Sequence, residues 1–155
     1  MIFEHGDRIV FAGDSVTDMG SACPVGDQGG ENLGRSYVRI IDNMLAAWYP
    51  ERIIAILNAG ISGNTSRDLL ARWDRDILGC SPMWVSICIG INDVWRQFDS
   101  PAMPDQMVLP EEYRENVVSL ICPHILSAQS RPMTMPQTSR KWWFRQRNAV
   151  RAFSS

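Results

Sequence analysis

The chain lacks most of the features that mark secreted, membrane-spanning or disulfide-stabilised proteins. Its first residues hold no basic segment followed by a long apolar stretch, so no secretory leader is recognised. No apolar run approaches the roughly 20 residues of a membrane-spanning helix. None of the four cysteines forms a C-x-x-C pair, which favours free thiols over a disulfide framework. We therefore expect a cytoplasmic protein with no membrane span.

Acidic residues are missing from the end of the chain. All 17 of them lie between Glu4 and Glu115, whereas residues 122–155 hold six basic residues and no acidic one. The periodic apolar patterning stops at the same place. We therefore expect residues 1–121 to form the folded domain, and residues 122–155 to be an unrelated, poorly ordered basic tail.

The remaining composition is that of an ordinary globular domain. The chain is 45% hydrophobic and 21% charged, and its 155 residues are enough for one sizeable core. A formal net charge of −2 gives no reason to expect a nucleic-acid partner. Residues 142–147 do mix basic and aromatic side chains, as surfaces for single-stranded nucleic acid do, but no predicted element supports them. A P-loop is also missing, because the glycine-rich segment 26–34 lacks the Lys-Ser/Thr ending.

Three short apolar runs organise the first part of the chain. They span residues 9–12, 53–57 and 84–89, and each leads into a turn rich in Gly, Asn, Asp or Ser. Continuous runs of this length are typical of strands in a parallel sheet, which are buried on both faces. Cys88, in the third run, is accordingly predicted to be a small core residue.

Helical patterns alternate with these runs. Apolar residues recur at helical spacing over 36–49, 66–78 and 111–121, and Arg72 falls on the charged, solvent face of the second helix. The β–α–β–α–β order predicts an α/β fold with a parallel, doubly wound sheet. The segment 19–34 is predicted to be a loop, either at the mouth of a site or without a role.

The three turns are predicted to lie together, because the carboxyl ends of parallel strands meet at one edge of a sheet. Ser15 follows the first run and is a candidate nucleophile, although Gly-Asp-Ser is also a good turn and helix N-cap sequence. The N–H groups of Ser15 and of a turn glycine, with the side-chain amide of Asn92, offer three hydrogen-bond donors. Donors of this kind stabilise the oxyanion of an acyl transfer.

These turns resemble the sequence blocks of the SGNH (GDSL-type) hydrolases. Residues 13–15 (Gly-Asp-Ser) with Thr17 are similar to the first block, residues 58–65 (Asn-Ala-Gly-Ile-Ser-Gly-Asn-Thr) to the second, and residues 90–93 (Gly-Ile-Asn-Asp) to the third. The resemblance covers about residues 1–121. It implies a three-layer α/β/α fold with a parallel, flavodoxin-like sheet.

The resemblance also implies the chemistry. It points to esterase or lipase-type hydrolysis of a small-molecule ester, with no metal and no organic cofactor. Ser15 falls on the nucleophile and on a backbone oxyanion donor, Gly63 on the oxyanion glycine, and Asn92 on the oxyanion asparagine. Three supporting positions are implied to hold the turns together rather than perform chemistry: Gly13, Asp14 and Asp93.

One element of the family is missing from this sequence. The family carries a C-terminal Asp-x-x-His, in which the His takes the serine proton and the Asp fixes its tautomer. Here His5 precedes the first run and would have to cross a strand roughly 16–17 Å long to reach Ser15. His124 has Ile121 three positions earlier, in place of an Asp. We therefore expect unrelated residues after about Ile121, a sheet that is incomplete at its C-terminus, and severely reduced activity.

Three hypotheses for the function remain. The first is a serine hydrolase of small carboxylic esters such as acetyl esters. The second is a catalytically inactive relative that only binds an ester or a carbohydrate, and the third is a flavodoxin-like module whose turns hold a phosphate. Trp95 and Phe98 either line an acyl or sugar pocket or pack under the following loop. Arg96 either contacts an anionic substrate or pairs with an acidic side chain.

Overall fold

Three parallel strands form the centre of the molecule. The computed structural model describes residues 2–22, 30–99 and 106–122. The strands follow one another in space in the order β2-β1-β3. Their bounds are Arg8–Gly13 for β1, Ala55–Gly60 for β2 and Trp84–Cys88 for β3. The predicted α/β class with a parallel sheet is confirmed, and the order 2-1-3 is the flavodoxin-like one.

Five helices surround the sheet in the described ranges. They are α1 (Ser15–Asp18), α2 (Tyr37–Trp48), α3 (Ser66–Ala71), α4 (Ile91–Asp99) and α5 (Pro110–Ile121). Short 3-10 turns lie at Gly30–Leu33 and Leu78–Cys80, and a π-helical turn lies at Trp73–Ile77. Within the described ranges, no helix combines the length and the apolar composition needed to span a bilayer.

The side chains of β1 alternate between two cores. Val10 and Ala12 face one side of the sheet, whereas Ile9 and Phe11 face the other, because successive strand residues point to opposite faces. The first core is closed by side chains from α3, the π-helical turn and α5: Leu69, Trp73, Ile77 and Leu120. The second is closed by Leu33 and by Val38 of α2. Helices on both faces give the expected three layers.

The predicted second strand is shifted along the chain. Ile53 is 71% exposed and lies before β2, which continues through Asn58 and Ala59 to Gly60. Strand pairing explains the shift, because β2 follows the register of β1 from Arg8↔Ala55 to Gly13↔Gly60. The polar residue Asn58, which the pattern assigned to a turn, is therefore a buried strand residue.

The predicted environments of Arg72 and Cys88 are both wrong. The helix predicted over 66–78 leaves α-helical geometry at Arg72 (φ −109°, ψ 4°). That change turns the guanidinium of Arg72 inward, and the residue is only 7% exposed rather than on the solvent face. Cys88 is exposed rather than in the core, because it ends β3, which among the described strands pairs only with β1.

Some predictions lie outside the described residues. The basic tail falls almost wholly there, at 123–155, as does the middle of the predicted loop, at 23–29. The ends of that loop are described, and Leu33 at its second end is fully buried. The helix predicted over 111–121 corresponds to α5, and a helix that the pattern did not predict, α4, follows β3.

Glycine at the end of β2 allows α1 to approach the sheet. A Cβ atom built on Gly60 would overlap the backbone N of Asp18, and its surroundings there are backbone atoms that cannot rotate away. A Cβ on Gly79, by contrast, would lie 3.4 Å from the carbonyl O of Asp74, an ordinary contact. The close packing of β2 against α1 therefore depends on position 60 having no side chain.

We expect Gly60→Ala to lower the free energy of unfolding by about 2 kcal/mol or more, because added atoms in a packed interior force the backbone apart. Gly79→Ala is the matched control and should change it by less than about 0.5 kcal/mol. Urea unfolding of the two variants and the parent protein measures both values. Equal effects of the two substitutions would show that the approach of α1 to β2 does not depend on Gly60.

Candidate active site

The first turn presents Ser15 at the carboxyl edge of the sheet. Asp14 is the N-cap of α1, and its carboxylate accepts a hydrogen bond from the backbone N of Val16 at 3.0 Å. The Gly-Asp-Ser sequence is thus both a turn and a helix start, but Asp14 rather than Ser15 makes the cap. No described residue hydrogen-bonds to the Ser15 hydroxyl, and the residue is half-buried. The cap therefore leaves a serine oxygen at the sheet edge that is not used for structure.

The second turn follows β2 and is tied to the first. The backbone N of Ile61 donates to the carbonyl O of Gly13 at 3.1 Å. The Asp18 carboxylate accepts from the backbone N of Ser62 at 3.1 Å and from its hydroxyl at 2.6 Å. Gly63 has φ +83°, in the left-handed region that favours glycine. The residue predicted to be the oxyanion glycine thus lies in a turn fixed on the helix that begins with Ser15.

The third turn places Asn92 beside the second. Asn92 lies in the first turn of α4, and its side-chain N donates to the carbonyl O of Asn64 at 2.8 Å. A side-chain amide has two N–H groups, so one donor remains for a ligand. Asn64 is the neighbour of Gly63 in sequence. The two predicted oxyanion residues therefore lie on turns that are in direct contact.

Asp93 anchors α4 rather than facing the edge. The residue is 3% exposed, and its carboxylate accepts from the backbone N of Ser66 at 3.0 Å and from the Ser66 hydroxyl at 2.5 Å. Asn116 of α5 donates to the same hydroxyl at 3.0 Å. These bonds join the start of α3 to α4 and α5, which agrees with a supporting role for Asp93.

Two buried polar residues at this edge were not among the site residues predicted from the sequence. The side-chain N of Asn58 donates to the carbonyl O atoms of Thr17 at 2.7 Å and Leu33 at 2.9 Å, and its side-chain O accepts from the backbone N of Gly60 at 2.9 Å. Asn58 therefore ties β2 to Thr17, just before the predicted loop, and to Leu33, at the second end of that loop. A single amide side chain next to an apolar run of strand length is the sequence feature that could have marked Asn58 as a buried polar residue. The second such residue is Arg72.

Arg72 bridges the first two turns. Its Nε donates to the side-chain O of Asn64 at 2.7 Å, and its Nη2 donates to the carbonyl O of Gly13 at 3.2 Å. Its Nη1 lies 3.5 Å from a carboxylate oxygen of Asp76. Nothing in the helical pattern marks this role, because it depends on the change of backbone geometry at Arg72 itself.

His5 lies apart from the described site. His5 precedes β1, where its Nδ1 accepts from the backbone N of Ile53 at 3.3 Å, so it lies at the opposite edge of the sheet from Ser15. His124 is outside the described residues. The described ranges contain no group of three or more His, Cys, Asp or Glu side chains that could hold a metal ion.

A shallow cavity of about 270 Å³ opens beside Gly63. Its walls include Thr65 and Arg96, and a Cβ on Gly63 would lie 3.5 Å from Nη2 of Arg96. Trp95 and Phe98 are 57% and 77% exposed, and neither is among the residues that line this cavity. The cavity lies next to the predicted oxyanion position and has polar walls.

Comparison with known proteins identifies the family. The family model described as "GDSL-like Lipase/Acylhydrolase family" matches residues 11–153. An acetylxylan esterase from Geobacillus stearothermophilus is 49% identical over 116 residues, which is 75% of this chain and 53% of that protein. The chain belongs to the GDSL-like lipase/acylhydrolase family. It spans about half the length of this curated relative.

Two solved structures of Axe2, an acetylxylan esterase from Geobacillus stearothermophilus, are similar to this chain. Both are catalytic mutants, one with a serine and one with a histidine replaced by alanine. They are 45% and 46% identical to this chain, each with a TM-score of 0.77. The match covers 81% of this chain and 57% of either one. The GDSL-type fold predicted from the three turns is confirmed.

The contact between Asp18 and the second turn depends on charge. Partial burial raises the pKa of the Asp18 carboxyl, but the hydrogen bonds from Ser62 and Ser21 outweigh this effect and hold the pKa below its ordinary value of 3.8. A carboxyl with a lowered pKa in the folded state stabilises the fold above its unfolded pKa. That stabilisation is lost as the pH falls through the folded pKa.

We expect Asp18→Asn to lower the free energy of unfolding by about 1 kcal/mol at pH 7, since it weakens charge-assisted hydrogen bonds on a partly exposed group. The difference from the parent should shrink as the pH falls below 3.8, the ordinary pKa of the carboxyl, and through its lower folded pKa, where the carboxylate gains its proton. Urea unfolding at pH 7, 5 and 3 measures this dependence.

Asp42→Asn is the control for that series. Burial raises the pKa of Asp42, with Arg39 acting against it, so the ionised form of Asp42 costs stability at neutral pH. Its replacement should leave the free energy of unfolding at pH 7 unchanged or slightly higher. A loss with Asp42→Asn equal to that with Asp18→Asn would contradict the specific role of the Ser62 contact.

Proposed function

We propose that this protein is a serine ester hydrolase that acts on small carboxylic esters, foremost acetyl esters. The main support is the arrangement of the carboxyl edge of the sheet. The Ser15 hydroxyl does not cap α1, and the turn of Ser15 is hydrogen-bonded to the turn of Gly63, which is in turn hydrogen-bonded to Asn92. The substrate class is supported by the relatives, which are described as acetylxylan esterases. One of them is a catalytic mutant with a serine replaced by alanine, which agrees with a serine nucleophile.

The geometry supports the following reaction. The Ser15 oxygen attacks the ester carbonyl carbon and loses its proton to solvent water, a C–O bond forms, and the carbonyl oxygen becomes an oxyanion. The N–H groups of Ser15 and Gly63 and the second N–H of Asn92 donate to that oxygen. The tetrahedral intermediate collapses with loss of the alcohol, which takes up a proton. Water then attacks the acyl-serine, releases the carboxylic acid and restores the hydroxyl.

The serine proton needs an acceptor, and this requirement limits the turnover that we propose. The related esterase in which a histidine is replaced by alanine is described as a catalytic mutant. This sequence has two histidines, His5 and His124, and neither has an Asp three residues before it. His5 lies at the far edge of the sheet. We therefore propose hydrolysis by Ser15 at a rate well below that of a complete triad, because the serine proton passes to solvent rather than to a positioned histidine.

Ser15→Ala tests the nucleophile. It should abolish the hydrolysis of an activated aryl acetate above the rate of a protein-free blank, because the neighbouring hydroxyls of Ser62 and Ser66 donate to the carboxylates of Asp18 and Asp93 and do not replace the serine oxygen. Ser119→Ala is the matched control, since the Ser119 hydroxyl donates to the carbonyl O of Glu115 on the exposed side of α5. Initial rates with purified variants are the measurement. Equal rates for the parent and for Ser15→Ala would contradict the proposal.

A binding protein without turnover is the second candidate. It is favoured by one observation, that the only histidine in the described ranges, His5, lies away from Ser15. Calorimetric titration with an acetylated xylo-oligosaccharide distinguishes the two candidates. Binding of equal strength by the parent and Ser15→Ala, with no acetate released by the parent, would favour binding alone. Release of acetate by the parent and not by Ser15→Ala would favour the hydrolase.

A further inference from the structure

A buried guanidinium lies at the centre of the contacts that join the three turns. Arg72 directs its Nε to the side chain of Asn64 in the second turn and its Nη2 to the carbonyl O of Gly13, at the end of β1. Gly13 is two residues before Ser15. One rigid planar group therefore spans from the strand that carries the predicted nucleophile to the turn that carries Gly63.

Asn64 extends these contacts to the third turn. Its side-chain O accepts from Arg72, while its backbone O accepts from the side-chain N of Asn92 at 2.8 Å. An unbroken series of hydrogen bonds thus runs from Gly13 through Arg72 and Asn64 to Asn92. Each bond in it is between 2.7 and 3.2 Å long.

We propose that Arg72 is a positioning residue for ester hydrolysis, which sets the second turn, and through Asn64 the Asn92 amide, relative to Ser15. This inference rests on the proposed function. Hydrogen-bond donors lower the barrier only where they meet the developing oxyanion, and a misplacement of about 1 Å can cost about 10² in rate. Arg72 makes no contact with the oxyanion position in this account and acts only through Asn64 and Gly13.

Arginine suits this position because its partners lie in different directions. A guanidinium offers several N–H donors in a fixed plane, whereas a lysine ammonium is a single point charge on a flexible stem. Arg72→Lys can keep the charge near Asp76 but cannot satisfy both Asn64 and Gly13. Arg75 provides the comparison, since it also pairs with Asp76, at 2.6 Å, but its side chain is 80% exposed.

The kinetic test compares Arg72→Lys with Arg75→Lys in the full chain, with an activated aryl acetate as substrate. Arg72→Lys should lower kcat about 10-fold with KM changed less than about 3-fold, since ground-state binding does not use the oxyanion donors. Arg75→Lys should leave both constants within about 2-fold of the parent. Melting temperatures show whether each variant is folded at the assay temperature. Should Arg72→Lys not fold, Asn64→Ala replaces it, because it removes the same link and leaves Arg72 in place.

A double-mutant comparison separates positioning from general weakening of the fold. In an Asn92→Ala background, Arg72→Lys should cost less than about 3-fold in kcat, because the donor that it positions is already gone. A loss of the same factor in both backgrounds would overturn the proposal, since it would show that Arg72 acts independently of Asn92.

A second readout does not require activity. The side-chain amide resonances of Asn92, followed by ¹⁵N–¹H correlation spectra, should move in Arg72→Lys and stay in place in Arg75→Lys. Unchanged Asn92 resonances in a folded Arg72→Lys protein would overturn the positioning role. Equal aryl acetate rates for the parent and Ser15→Ala would instead overturn the proposed function. The Asn92 resonances would then still decide whether Arg72 sets the position of the Asn92 amide.

Discussion

The carboxyl edge of the sheet depends on side chains that hydrogen-bond to the backbone of a neighbouring turn. Asn58 donates to Thr17 and Leu33, Arg72 donates to Gly13, and Asn92 donates to Asn64. Backbone groups that leave a buried strand must find partners, and in a turn the regular ladder no longer supplies them. Segments that are distant in sequence therefore supply hydrogen-bond partners for one another's backbone groups. The fold and the candidate site share these hydrogen bonds.

The central features of the fold were predictable because they depend on local pattern. Apolar runs of strand length, separated by amphipathic helices, were enough for a parallel α/β sheet. The exceptions concern residues whose environment is set by strand pairing or by a change of backbone geometry. Ile53 lies outside β2 because the register with β1 begins at Ala55, and Cys88 is exposed because β3 is at the edge of the described sheet.

The candidate site divides in the same way. Ser15, Gly63 and Asn92 were predicted as site residues because each follows an apolar run and falls on a recognisable sequence block. Arg72 carries no such signal, and Asn58 was assigned to a turn although it begins the second block, since the contacts of both side chains depend on partners far away in sequence. Arg72 in particular follows helical spacing that places it on a solvent face, and only the break at the end of α3 turns it inward. Buried polar residues that serve a site are hard to recognise before the tertiary structure is known.

The capping of α1 by Asp14 has a consequence for how this fold carries chemistry. Asp14 satisfies the first turn of the helix, so the stability of the helix start does not depend on the hydroxyl of Ser15. The helix cap and the predicted nucleophile are therefore adjacent but separate residues. A substitution at Ser15 can remove the hydroxyl without weakening the start of α1.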